Sequence, residues 1–215
     1  MFWLPAQLVL LLLCCAQCHI DVDGDNRALE GDDDTTSVGD FNIERENNLV
    51  DWTVYDMGPV ALAAPNTWKK EMLPEKLVIR PAQRQDSMEG VEFRTFKKGD
   101  QALSDDKFAN LLAHHSFTDF EIIKSEGFVK TEFKNSSDFF YERHCEVRKG
   151  SSEYSASFVL YFTKNDYYQY RLFLSKKMID EYKGNLANGL LSNVKVNGYY
   201  LWDNKRPAFK ITNIK

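Results

Sequence analysis

FFYERHCEVRKGSSEYSASFVLYFTKNDYYQYRLFLS, residues 139–175, decides the fold class. Gly150-Ser151-Ser152 and Lys164-Asn165-Asp166 break it into three runs. In the second run Tyr154, Ala156, Phe158, Leu160 and Phe162 share one side, while Ser155, Ser157, Val159 and Tyr161 share the other. In the third, Tyr168, Tyr170, Leu172 and Leu174 oppose Gln169, Arg171, Phe173 and Ser175. A period of two, rich in aromatic and β-branched residues and bounded by polar turn residues, marks strands. The stretch therefore predicts three neighbouring antiparallel strands inside a large sheet.

Upstream, Trp52 and Val54 open a strand, Gly58-Pro59 turns it, and Val60 to Ala64 return. Leu77 to Ile79 and Val91 to Phe96 predict two more strands, and Phe120 to Lys124 and Phe128 to Phe133 lead into the central meander. Ser104 to His115 predicts a helix: Ser104 suits the N-cap, Asp105 and Asp106 suit the positive end of the dipole, and Phe108, Leu111, Leu112 and His115 make an apolar-leaning stripe. Lys176 to Leu191 predicts a second helix, with Ile179, Tyr182, Leu186 and Leu190 on one face. Gly184 and Gly189 would each weaken it by about 1 kcal/mol, so it must dock on the sheet. Val194 to Val196 then closes as a strand, and the tail from Tyr199 adds another or packs over an edge. This order gives an α+β domain, an antiparallel sheet of about seven to nine strands with two main helices packed on it.

The 215-residue chain is 43% hydrophobic, enough for a packed core. Its formal charge of -5 is uneven, because residues 1–40 hold eight acids and one base. The remaining body has 26 basic and 24 acidic residues. So balanced a body lacks the concentrated basic charge that strong nucleic-acid binding needs.

Residues 1–18, MFWLPAQLVLLLLCCAQC, have the apolar length of a signal peptide and are too short to cross a bilayer. Ala16 suits cleavage, with Cys14 at the -3 site. The expected location is therefore exported: secreted, periplasmic or cell-surface. Cys18 is a candidate lipid-attachment residue and the only route to a membrane, although Gln17 before it is a poor match to the small residue such signals carry. Residues 19–48 predict a disordered acidic linker. Asp21, Asp23, Asp25 and Asp32 echo a calcium loop, but Asn26 stands where the sharp turn needs glycine. The folded domain is expected over 49–215.

Two segments, VALAAPNTW (Val60 to Trp68) and NGLLSNVKVNG (Asn188 to Gly198), carry a resemblance to the PsbP-like fold family of small exported α+β proteins. The likeness covers residues 50–198. It implies an α/β/α sandwich and an accessory or binding role more than catalysis. The tail after Gly198 departs from the pattern and leaves the sheet edge open.

Catalytic signatures are missing from the sequence. No G-x-S-x-G, Walker-type loop, G-x-G-x-x-G or H-x-x-x-H occurs, and no C-x-x-C lies past residue 18, so no catalytic residue, metal ligand or cofactor is assigned. His114 and His115 point about 100° apart on a helix, which suits a surface role. Cys145, the one cysteine past the signal segment, reads as a buried strand residue. His144 beside it must face the other way. Glu142 and Glu146 share a strand side, as solvated faces often do. Asn135-Ser136-Ser137 is a sequon, so Asn135 is the glycosylation candidate for a eukaryotic chain.

Tyr161, Tyr167, Tyr168, Tyr170 and Phe173 are either covered by helices on both faces or form an aromatic platform for a protein, peptide or glycan. The reading is an exported, non-enzymatic accessory or binding protein whose partner is a protein or a small ligand. The alternatives are a carrier of an apolar ligand, a hydrolase with a pocket between sheet and helices, and a domain that self-associates through its sheet edge.

Overall fold

A computed structural model describes residues 51–74, 76–83, 88–99, 103–134, 136–182, 185–201 and 208–214. All fall within one compact unit, Thr35–Lys215. The signal segment, the acidic linker, Cys18 and Asn135 lie outside the described residues.

The elements run β1 (Trp52–Asp56), β2 (Val60–Pro65), β3 (Trp68–Leu73), β4 (Lys76–Pro81), β5 (Gly90–Lys97), α1 (Asp105–Ser116), β6 (Glu121–Ser125), β7 (Phe128–Phe133), β8 (Phe139–Lys149), β9 (Ser152–Phe162), β10 (Asp166–Ser175), α2 (Lys176–Glu181), α3 (Asn185–Ser192), β11 (Lys195–Val196), β12 (Tyr199–Tyr200) and β13 (Ala208–Ile214). Nine strands make the main sheet, in the order β13-β7-β8-β9-β10-β5-β4-β3, with β6 also pairing β8. Strands β1, β2, β11 and β12 form a second, four-stranded sheet. The predicted α+β class and the antiparallel pairing both hold.

The meander folds as its alternation requires. Phe158 opposes Arg143 on β8 and Arg171 on β10, and Val159 opposes Glu142 and Tyr170. Directly opposed residues share a face, so the two sides of β9 feed two separate cores. On one face Phe158, Leu160, Phe162 and Phe173 pack with Ala109, Ala113 and Phe117 of the α1 region. On the other, Val159, Tyr161, Tyr170, Leu172 and Leu174 pack with Met178 of α2, Leu186 and Leu190 of α3, and Val60, Leu62 and Ala64 of β2. The sheet is thus sandwiched between helical covers.

Four local differences from the sequence expectation have physical causes. Strand β3 was hidden because its residues after Trp68 are mostly exposed and polar, as befits an edge. The expected long second helix is two short ones. Ser175 starts α2 by accepting from the Met178 N–H at 3.2 Å, and Tyr182 ends it with an N–H bonded to the Asp180 and Met178 carbonyls. Tyr182 consequently stays exposed, off the expected apolar face. Strand β11 belongs to the second sheet, paired with β2, while β13 closes the main sheet beside β7. On α1 the buried positions are Ala109, Ala113 and Ser116, with His115 exposed. Small residues let this helix lie close on the aromatic sheet.

Two glycines are fixed by close approach. A Cβ on Gly189 would sit 2.8 Å from the Trp52 ring, so α3 docks through the gap that glycine leaves. Gly90 has φ +135°, and a Cβ there would meet the Ile79 carbonyl oxygen at 2.4 Å. Gly90→Ala should therefore destabilise the protein by well over about 1 kcal/mol. Gly58→Ala, at φ +82° with nothing within 4 Å of a Cβ, should cost less. Urea unfolding of both variants checks the order, and equal losses would contradict it.

Candidate functional site

The covers do not span the sheet. Helix α1 lies over β8, β9 and β10: Tyr141 donates to Asp106, Gln169 Nε2 to Ser116 Oγ at 3.4 Å, and Phe117 meets Phe173 edge-on. It reaches β5 at Phe96, through Phe108. The opposite cover lies over β4, β5, β10 and part of β9, where Leu77, Ile79, Val91, Phe93, Leu172 and Val159 join its core. That core ends on β7 and β8 at Phe133 and Phe140. Each face of the sheet therefore has a half that carries polar side chains in place of a core.

The first open half-face lies on the α1 side, across β3, β4, β5 and β10. Ladder pairing places its residues. Arg171 opposes Phe158 and Glu92, Glu92 opposes Val78, and Val78 opposes Glu71. One row to one side, Lys69 opposes Arg80. To the other side lie Lys76 and, beside Gln169, Arg94. Five cations thus share the patch with two carboxylates. Lys69 and Glu71 are exposed, whereas Lys76, Arg80, Glu92, Arg94 and Arg171 are half-buried over Val78.

Glu92 is held by Arg171 and by Lys76 at 2.9 Å. Burial pushes its carboxyl up, but the two cations outweigh burial and hold it below the usual carboxylate range. Arg80 pairs with Glu71 at 3.2 Å. Arg94 makes no ion pair among the described residues. The Nε–H groups of Arg80, Arg94 and Arg171 are all sealed from solvent and have no acceptor among the described residues. Three such groups on one patch form an unusual cluster, since buried donors are ordinarily satisfied.

The second open half-face lies on the other side, along β8 and β9. His144 opposes Ser157, and its Nδ1 lies 2.9 Å from Ser157 Oγ. Its Nε2 lies 3.4 Å from Glu142 Oε2. The hydrogen bond that the ring donates to Glu142 raises the imidazole's proton affinity against burial, which lowers it. A Ser-His-carboxylate string is the arrangement of an acyl-transfer site. Here, though, Ser157 is only 6% exposed. Its strand is hydrogen-bonded on both sides, by β8 and β10, so its backbone N–H is not free to stabilise an oxyanion. The string behaves as a structural relay. The adjoining cleft, lined by Lys124, Glu126, His144, Glu146 and Ser155, holds about 100 Å³.

The other residues singled out from the sequence fall into place. Cys145 is buried on the α1 side, its thiol 3.5 Å from Ser125 Oγ, back to back with His144. Glu142 binds His144, while Glu146 lies 4.0 Å from Lys124, so the two acids do not act as a pair. His114 and His115 are exposed at the end of α1. Tyr161, Tyr167, Tyr168, Tyr170 and Phe173 are all buried, which removes the aromatic platform. Ser157 and the arginine patch were missed because both depend on cross-strand register, which alternation along one strand does not give.

No protein-family model matches the sequence, and no curated protein matches it. Among solved structures the chain is similar to cyanobacterial PsbP (CyanoP) from Synechocystis sp. PCC 6803. The match has 16% identity and a TM-score of 0.47, and covers 70% of this chain and 95% of that one. That neighbour belongs to the fold family the sequence motifs resemble.

The His144 geometry sets a pH dependence. Folding favours protonated His144, so its contribution is complete below the ordinary histidine value of 6.5 and is lost as pH rises through the higher folded value. Stability of the wild type should fall between about pH 6 and 8 through this group. In His144→Gln that component should vanish. Urea midpoints measured across the range check it, and an unchanged profile in the variant would contradict it.

Proposed function

We propose that the chain is an exported, non-enzymatic binding protein that engages its partner through the open half-face on β3, β4, β5 and β10. The observation that carries this reading is the cluster of five cations there against only two carboxylates, Glu71 and Glu92. Charged side chains on a sheet face contribute little to stability when half in water, so their concentration at one place calls for a ligand. A carrier role has less support. The space between the sheet and its covers is filled by the two cores. An open cleft of about 450 Å³ lies at the margin, beside Trp68 and Tyr182.

Export rests on residues 1–18. Among the described residues no helix is long and apolar enough to cross a membrane. The chain secreted by cells expressing the full sequence should begin at Gln17, by N-terminal sequencing. An intracellular chain that keeps residues 1–18 would remove the export reading.

A photoactivatable benzoylphenylalanine tests the binding surface. Placed at Leu73, on the patch, it should give a discrete adduct in the native compartment that is lost when Arg94→Glu is added. At Ile122, far along the sheet on β6, it should give none. Equal labelling from both positions would defeat the reading. So would substrate turnover by the purified chain that Ser157→Ala abolishes, which would make the relay catalytic.

A further inference from the structure

We infer that the partner is an acidic polypeptide segment, bound in extended form along β4 with its carboxylates on two cation pairs. The inference rests on the reading of this half-face as the binding surface. One pair is Lys69 with Arg80, directly opposed on β3 and β4. The other is Lys76 with Arg94, whose strands are in register one residue away at Leu77 and Phe93. Arg80 and Lys76 are four residues apart on β4, which separates the pairs by about 13 Å. An extended chain places the side chains of residues i and i+4 on one side at the same spacing.

The patch already shows what it recognises. Its two internal carboxylates, Glu71 and Glu92, are each bound by patch cations. After those pairings, unpaired positive charge lies at Lys69 on one side and at Arg94 on the other, and Glu92, shared by Lys76 and Arg171, leaves one more between them. Arg94 has no ion pair among the described residues, and its Nε–H has no acceptor. A carboxylate can meet this half-buried guanidinium through its Nη groups and supply the missing ion pair.

The central row argues against a nucleic acid. Glu71, Val78 and Glu92 lie between the two cation pairs. A phosphodiester strand carries charge at every nucleotide and would run its phosphates across those carboxylates. A peptide can carry its charges only where the cations are. Single-strand binding also draws on exposed aromatic platforms, and the patch contains none.

A fluorescein-labelled twelve-residue peptide with glutamate at every fourth position and serine elsewhere tests this on the full chain, by anisotropy at about 50 mM salt. Saturable binding is expected. It should weaken by about tenfold or more in Arg80→Gln/Arg94→Gln, and by less than twofold in Lys134→Gln/Lys164→Gln, which removes the same charge elsewhere. Arg94→Gln alone should weaken binding with no change in thermal midpoint, because Arg94 has no ion pair to lose. Absence of glutamate-peptide binding would overturn the proposal, as would equal losses in both double variants. Tighter binding of a twelve-nucleotide thymidine strand than of the peptide would also overturn it. A Leu73 adduct without peptide binding would retain the half-face as the binding surface and remove only the acidic class.

Discussion

Strands β9 and β10 are apolar on both sides, and that double burial constrains the rest of the structure. Phe158, Leu160 and Phe162 look one way, Val159 and Tyr161 the other, and all are 1% exposed or less. Burying each such side chain is worth about 1.5–3 kcal/mol, so both faces of the sheet centre must be covered. The covers are small: α1 on one side, and α2, α3 and a four-stranded sheet on the other. Neither is wide enough for nine strands. Each centres on β9 and β10 and extends further on one side. The sheet is left bare on opposite faces, over β3 to β5 on one and along β8 from Glu142 to Glu146 on the other. Phe133 of β7 and Phe140 of β8 stay in the core.

Composition follows coverage. Where β8 passes from under its cover, its residues on that side change from Phe140 to Glu142, His144 and Glu146. Where β4 and β5 leave the shelter of α1, theirs become Lys76, Arg80, Glu92 and Arg94. Within that patch Glu92 stays ionised, since Arg171 and Lys76 outweigh its burial. Its negative charge is therefore a fixed part of the surface at neutral pH. The relay on the other side is anchored differently, by neutral Ser157 and by Glu142, and its charge state follows His144.

What the sequence disclosed was what local pattern can encode. Period-two alternation identified β9 and β10 and assigned Tyr161 and Phe158 to opposite cores. Gly58-Pro59 and Ser104 fixed one hairpin and one helix start. Strand β3 stayed hidden, because an edge strand of Lys69, Lys70 and Glu71 has no apolar period to read. The split between α2 and α3 was hinted at only by Gly184, a poor helix former. The site was less legible still. Glu142 and His144 are visible as neighbours on one strand, but Ser157 joins them only through a register thirteen residues long. The arginine patch draws on four strands, one of them, β10, far from the others in sequence, so no short window of the chain contains it.

Edge protection is the plainest competing explanation for the cations. Lysines on an exposed edge strand discourage pairing with other chains, and that accounts for Lys69 and Lys70 on β3. It does not account for Arg94 and Arg171. Those residues stand on β5 and β10, strands with neighbours on both sides, where no edge needs guarding. Arg171 is explained in part by Glu92, but its Nε–H stays unmatched. Among the described residues Arg94 has neither an edge nor a carboxylate, and it lies beside Gln169 at the border of α1's footprint. An interior guanidinium that costs side-chain entropy and makes no ion pair is hard to attribute to folding. A partner that supplies the missing carboxylate explains its position.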